Sequence, residues 1–255
     1  MAIHQAAQQG FSQQSSTYQR GRPEYPAELL GWLDHDLGAR AGADVVDLGA
    51  GTGKFTTLLA RLGAGVTAIE PVDAMRERLI EAVPGVRALP GSAESMPLDD
   101  ASVDAVACAQ AFHWFANEAA LAEIHRVLRP GGRLGLIWNV RDERVDWVAA
   151  ITGIITPYEG DAPRHYTGRW RQPFETQNLF TPLQRTSFSH SHVGSFDQVV
   201  IDRFMSVSFI AALPEQNKRE IEARIRALRD VYPALQSETI AFPYQTEAWL
   251  SERIR

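Results

Sequence analysis

The stretch VVDLGAGTGKFTT, residues 45–57, constrains this chain more than any other. Val45 and Val46 lead into three glycines, Gly49, Gly51 and Gly53, each two positions from the next. A helix-forming run begins directly afterwards. Glycine loses the most backbone entropy on folding and brings no side chain to a core, so this spacing marks a place where something approaches the backbone closely. A buried strand that leaves through such a turn into a helix start presents free amide groups at its end. That is the geometry of a site for a nucleotide-like ligand.

The rest of the chain keeps one rhythm. Pro23 and Pro26 frame a helix over residues 26–37 with Leu29, Leu30, Leu33 and Leu37 inward. A strand over 44–48 is followed by a helix over 52–63, with Phe55, Leu58, Leu59 and Leu62 on its apolar side. Next come a strand over 65–70, a helix over 73–83, and strands over 86–89 and 103–109. A helix over 117–128, stopped by Gly131 and Gly132, precedes a fifth strand over 133–139. Apolar strands alternating with amphipathic helices predict an α/β fold: a Rossmann-like, mostly parallel sheet with helices on both faces.

Beyond Val145 the pattern is more mixed. It predicts a helix over 147–158, an aromatic and basic connection, a less buried strand over 183–193 and two helices. The second of these carries an Ile221, Ile225, Leu228 stripe. A last strand over 238–244 brings the sheet to seven. With no repeat and no linker, one domain is expected: residues 1–40 as an N-terminal lid, 41–140 as the ligand-binding core, and 141–255 as a cap with the C-terminal strands.

Composition narrows the partners. A net charge of −6 argues against a nucleic-acid surface, and no apolar stretch approaches the length of a membrane span. The N-terminus lacks the basic start and apolar core of a secretion signal, and the single Cys108 forms no internal disulfide. A cytoplasmic protein acting on a small molecule, without nucleic acid or membrane, is expected; oligomeric state leaves no signature.

Three kinds of ligand compete for the glycine turn. A phosphate-cradling P-loop needs a glycine where Leu48 stands and a hydroxyl residue where Phe55 follows Lys54. A dinucleotide fingerprint counted from Gly49 meets Lys54 at its third glycine. The turn reads G-x-G-x-G instead, with Asp47 two positions before it. Glu70 ends the next strand, 21 residues beyond Gly49. An acid there accepts two charge-assisted hydrogen bonds from vicinal ribose hydroxyls and repels a 2′-phosphate, which fits an adenosine moiety.

Taken with GSAESMPLDDASVDAVACAQAFHWF (91–115) and EIHRVLRPGGRLGLIWN (123–139), these motifs resemble those of the class I S-adenosylmethionine-dependent methyltransferases. The chain is most similar to the small-molecule branch that includes trans-aconitate methyltransferase-like enzymes. The likeness runs from Tyr18 to about Asn139, and more loosely through FPYQTE near the end. It implies S-adenosylmethionine as cofactor and methyl transfer to a small molecule, first of all to a carboxylate or hydroxyl oxygen. Transfer to nitrogen or carbon, or cofactor binding without turnover, are the alternatives.

The resemblance also implies roles for particular residues. Gly49, Ala50 and Gly51 lie along the methionine portion, and Asp47 holds the turn and faces the ammonium. Glu70 takes the ribose, with Pro71 and Met75 beside the adenine. Ser92, Ala93 and Glu94 read the adenine edge, although many relatives carry an acid where Ser92 stands. Gln110 meets the methionine end, and Tyr18 and Arg22 belong to a closing lid, Arg22 pairing with a carboxylate. AFHWF follows strand four, where open α/β sheets place their ligands. Its His113 reads either as a general base, together with Tyr18 the catalytic candidates, or as a fastener of the loop. Trp114, Trp138 and Arg141 are candidates for the substrate wall. No cluster of His, Asp and Glu at ligand spacing appears, so no metal is expected.

Overall fold

The computed structural model describes residues 21–161 and 163–254; Tyr18 lies outside them. Its strands are β1 (Asp44–Leu48), β2 (Gly65–Ile69), β3 (Arg87–Leu89), β4 (Val103–Ala109), β5 (Leu128–Arg141), β6 (Gln184–Gly194) and β7 (Ile240–Glu252). They form one sheet in the order β3-β2-β1-β4-β5-β7-β6. β1 to β5 pair in parallel, and β7 inserts antiparallel to both β5 and β6. The mostly parallel Rossmann-like sheet expected from the alternating pattern is what the chain forms. From β1 it winds outward to β3 and then returns to β4 on the other side. That reversal opens a crevice at the carboxyl ends of β1 and β4.

The helices that position this crevice are α1 (Glu28–Trp32, continued by a π-helical turn Leu33–Leu37), α2 (Lys54–Arg61), α3 (Asp73–Ala82) and α4 (Glu118–Val127). β1 shows why its sequence is apolar at consecutive positions. Val45 packs on one face with Leu33, Leu37, Phe55 and Leu59, while Val46 packs on the other with Leu121, Ile124 and Val127. A strand covered by helices on both faces has no polar side. A third apolar cluster belongs to the cap. There α5 (Asp146–Ile155), α6 (Glu215–Ala227) and the turns between residues 197 and 211 close over Ile240, Phe242 and Tyr244 of β7. Among the described residues, no helix is long and apolar enough to cross a membrane.

Two of the boundaries that differ from expectation have a plain physical cause. α4 ends at Val127, and Leu128 is already extended and paired with Val103. Pro130, rather than Gly131 and Gly132, stops the helix, because a proline disfavours helical backbone in the residue before it. Pairing then resumes at Arg133 opposite Ala105, with the glycines inside the irregularity. β7 runs eight residues further than the predicted strand, which ended at Tyr244. Its inward positions there are Thr246, Ala248 and Ser251, small or polar residues that carry no hydrophobic period.

Phe242 joins sheet to cap, its ring 5.0 Å from that of Trp147 and 5.8 Å from that of Phe204. Phe242→Ala is expected to destabilise the protein by about 3–5 kcal/mol, read from the urea midpoint. A loss below about 1 kcal/mol would mean that the cap core unfolds apart from the sheet.

Candidate active site

The loop after β1 turns back on the sheet. The amides of Gly49 and Ala50 both donate to the Ile69 carbonyl, at 2.9 and 3.2 Å, so the loop is tied to the end of β2. Gly49 has φ +73°, and a Cβ there would lie 2.7 Å from the Cβ of Ala111. Gly51 has φ +58°, but a Cβ on it would meet nothing within 4 Å. Its bare side faces open space above the loop.

Glu70 braces this arrangement. Its Oε2 accepts the Gly51 amide and its Oε1 the Val72 amide, each at 2.9 Å. Arg76 donates to its backbone carbonyl at 2.9 Å. Burial pushes the Glu70 carboxyl above its ordinary pKa, while the Val72 and Gly51 amides and the Arg76 charge pull it back.

Above the loop lies a cavity of about 480 Å³, within the range of small-molecule sites. Gly49, Ala50 and Gly51 form its floor, and Glu70, Pro71 and Met75 one wall. Ser92, Ala93 and Glu94 form a second wall, Gln110 and Trp114 a third, with Arg22 at the cap end. Gln110 holds a left-handed φ of +61°, its amide bonded to the Ile137 carbonyl at 2.8 Å. Such a conformation in a non-glycine residue is costly and persists where the surroundings enforce it.

Among the further lining residues, Asn139 leaves the fifth strand on the ligand side as the sequence suggests, whereas Lys54, Asn117 and Arg203 were given no role there. Asn117 caps α4 by accepting the Ala120 amide at 2.8 Å, and donates to Glu94 Oε1 at 3.0 Å. Desolvation opposes the shift, but hydrogen bonds from Asn117, its own backbone and Ser92 hold the Glu94 carboxyl below its ordinary range. Lys54 donates to the Arg22 carbonyl at 2.8 Å and pairs with Glu24 at 2.7 Å. Asn139 donates to the Glu24 carbonyl at 3.2 Å. Lys54 was visible only as a failed P-loop lysine, and Asn117 as a polar residue just before a helix. Arg203, next to Asp202 in a mixed helical stretch, gave no signal of its own.

Four expected residues lie off the cavity. Asp47 is buried beneath the loop, its Oδ2 accepting the Thr56 hydroxyl at 2.6 Å. Its Oδ1 has no hydrogen-bond partner among the described residues. Burial, with the nearby Glu70 charge, pushes its pKa up to about 7 against the Thr56 hydrogen bond. His113 accepts the Trp138 indole N–H at Nδ1, at 3.1 Å, and packs between Trp114 and Trp138. Desolvation, with His165, Arg164 and Arg22 nearby, drops its pKa to about 3. This fastened, neutral imidazole is far from the basicity that proton abstraction near pH 7 needs. Trp138 is core rather than wall, its ring 4.6 Å from Trp170 and 4.5 Å from His165. Side chains alternate along β5, so Asn139 faces the cavity and Trp138 the opposite side. Arg141, one pleat further, stands over the Phe204 ring at 5.1 Å in the cap.

A sheet of this order with such a loop at its switch point defines the class I S-adenosylmethionine-dependent methyltransferases, and comparison with known proteins agrees. A family profile described as a methyltransferase domain matches residues 46–136. A methyltransferase-like protein of Schizosaccharomyces pombe is 36% identical over 95% of each chain. A methyltransferase of Mycobacterium tuberculosis is 42% identical over 92% of each. Both are described as uncharacterized. Among solved structures, the YcgJ protein of Bacillus subtilis shares the fold with a TM-score of 0.57 at 21% identity, covering 90% of this chain and 100% of that one. The chain belongs to this methyltransferase family, and its cofactor is S-adenosylmethionine. The bare face of Gly51, the buried Glu70 carboxylate and the cavity volume are compatible with that ligand.

Asp47 supplies a test by pH. Its pKa is about 7 in the fold against about 4 for an ordinary aspartate, so between those values the native state holds a proton that the unfolded chain has released. Stability tied to this proton is present below about pH 4 and is lost as pH rises through 7. The ligand-free protein should therefore lose stability between about pH 4 and 7 relative to Asp47→Asn, by at most about 4 kcal/mol, with no further loss above that. Melting curves of both proteins across that range check it; parallel curves would place the ionisation elsewhere.

Proposed function

We propose that the chain is a small-molecule O-methyltransferase whose acceptor oxygen belongs to a carboxylate. The observation that carries this reading is the character of the cavity's cap end. Arg22, Lys54 and Arg203 line it with Glu24, which pairs with Lys54 at 2.7 Å, so the two arginines set its charge, and no histidine lines it among the described residues. An amine acceptor, cationic near neutral pH, would be repelled there. A hydroxyl acceptor needs a base, and His113 is turned away and fastened to Trp138. A carboxylate is already ionised at neutral pH and is attracted by the cations.

S-adenosylmethionine, when bound, supplies a methyl group on a positively charged sulfur. On this reading the protein's own task is alignment and exclusion of water rather than proton transfer. The loop of Gly49 to Gly51 and the Glu70 carboxylate hold the cofactor, with Ser92, Ala93 and Glu94 at its adenine. Gln110, fixed by its bond to β5, stands beside the reacting end. Lys54 and Asn139 pin the segment Arg22–Glu24 across the opening. Trp114 supplies an apolar wall from the AFHWF loop.

The direct test offers the enzyme, with S-adenosylmethionine, a panel of carboxylic acids, phenols and amines, and follows S-adenosylhomocysteine and methylated product by mass spectrometry. Methyl esters are expected. Methylated phenols or amines alone would overturn the carboxylate reading. Tight cofactor binding with no product from any class would turn the chain into a binding protein. Glu70→Ala should weaken S-adenosylhomocysteine binding by about 30-fold or more, since it removes charge-assisted hydrogen bonds and the brace on Gly51. With a carboxylate acceptor, kcat/KM should stay level between about pH 6 and 8. A limb near pH 6.5 that vanishes in His113→Gln would return the role of base to His113.

A further inference from the structure

Residues 22–25 cross the opening of the cavity as a strap, and all four of them line it. Both ends of the strap are fixed. Gly21 lies so close to the cap that a Cβ on it would come within 2.7 Å of the Arg203 backbone nitrogen. Pro26 opens the turn into α1, its carbonyl accepting the Leu29 amide at 3.1 Å. Between those ends, α2 holds one side. Lys54 donates to the Arg22 carbonyl and pairs with the Glu24 carboxylate, and Phe55 meets the Tyr25 ring edge-on at 5.3 Å.

The sheet holds the other side through a single atom. The Glu24 carbonyl oxygen accepts from Asn139 Nδ2 on β5 at 3.2 Å and lies 3.1 Å from His190 Nε2 on β6. A carbonyl only accepts, so Nε2 carries the ring proton and donates it. Thr246 on β7 ties the two donors together. Its hydroxyl donates to Asn139 Oδ1 at 2.6 Å and stands 3.3 Å from His190 Nδ1. The Tyr244 ring packs against the imidazole, centroid to centroid 5.6 Å. Burial draws His190 below the ordinary histidine range, against the pull of the Glu24 carbonyl and of the Glu28 charge on α1, so the ring is neutral at pH 8. Asn139 lines the cavity, but His190 and Thr246 do not. His190 therefore acts on a ligand through the strap.

We propose that His190 is a positioning residue for cofactor exchange: by holding the Glu24 carbonyl it keeps the strap shut, and S-adenosylmethionine enters and S-adenosylhomocysteine leaves when that contact breaks. The inference rests on the cofactor and not on the choice of acceptor. The strap's contacts are made to protein groups, so they form whether the cavity is filled or empty. A gate of this kind slows entry and exit by the same factor and leaves affinity unchanged. A residue that only shapes the site would change affinity instead, chiefly through the release rate.

Stopped-flow fluorescence on the full chain at pH 8, with Trp114 on the cavity wall as reporter, gives the binding and release rate constants of S-adenosylhomocysteine. In His190→Leu both are expected to rise about fivefold, the loss of one neutral hydrogen bond, with Kd within about twofold of wild type. His190→Gln, which still offers an amide N–H to the Glu24 carbonyl, should return both rates toward wild type. Unchanged rates in His190→Leu, a rise in release alone, or exchange in His190→Gln as fast as in His190→Leu would each overturn the gate. If His190→Leu does not fold, Thr246→Val takes its place, because it removes the hydroxyl that joins Asn139 to His190. Both rates should then rise about twofold or more, and a rise in neither or in release alone overturns the gate. Failure of S-adenosylhomocysteine to bind the wild type would instead sink the cofactor assignment.

Discussion

One carboxylate accepting two amides organises the ligand end of this protein. Glu70 closes β2, and its oxygens take the N–H groups of Gly51 and Val72. The first bond locks the loop that leads to α2, and the second locks the turn that leads to α3. Both helices therefore start from the same side chain. The geometry demands a left-handed residue at Gly51 to aim its amide, and an acid whose two oxygens can both accept. Burial works against its ionisation, and the two amides with Arg76 work for it. Removing the acid would leave two half-buried donors without their acceptors, at a cost of up to about 1–3 kcal/mol each.

Charge is distributed unevenly around the cavity. Glu70 and Glu94 line one side and Asp47 lies beneath the floor, whereas Arg22, Arg203 and the Lys54–Glu24 pair line the cap end. Lys54 links the two halves mechanically as well. Burial draws its pKa down, and the pairing with Glu24 draws it back. Its ammonium thereby fastens the segment at Arg22 and Glu24, which Asn139 and His190 also hold through the Glu24 carbonyl. A cavity with an acidic side and a cationic end orients a ligand of mixed charge before any shape-specific contact is made.

Much of this was legible in the chain because the relevant signals are local. Strand period, helix period and the glycine turn each lie within a dozen residues, and Glu70 is identified by its place at the end of a strand. Trp138 was misread for a physical reason: β5 is buried on both faces, so hydrophobicity cannot say which face meets the ligand. Parity then exchanges Trp138 for Asn139. His113 was ambiguous because its basicity is set by Trp138 and by residues 164 and 165, brought near only by the fold. Arg203 and Tyr244 were invisible for the same reason, being 41 residues apart and joined by one hydrogen bond. The tail of β7 hid itself by burying Thr246 and Ala248 where a hydrophobic period was sought.

The cap is where stability and specificity share residues. Phe242 and Tyr244 are inward neighbours on β7: one packs against Trp147 and Phe204, while the other carries the hydroxyl that orients Arg203. Phe204 in turn lies beneath Arg141. A change in cap packing therefore reaches the cationic end directly, through side chains in contact, without any movement of the glycine loop. The glycine loop, Glu70 and the Glu94 wall depend chiefly on β1 to β4 and their helices, and meet the cap end through Lys54. A fold divided in this way can alter its acceptor by substitutions in the cap while keeping its cofactor site intact, because the two ends draw on separate apolar clusters.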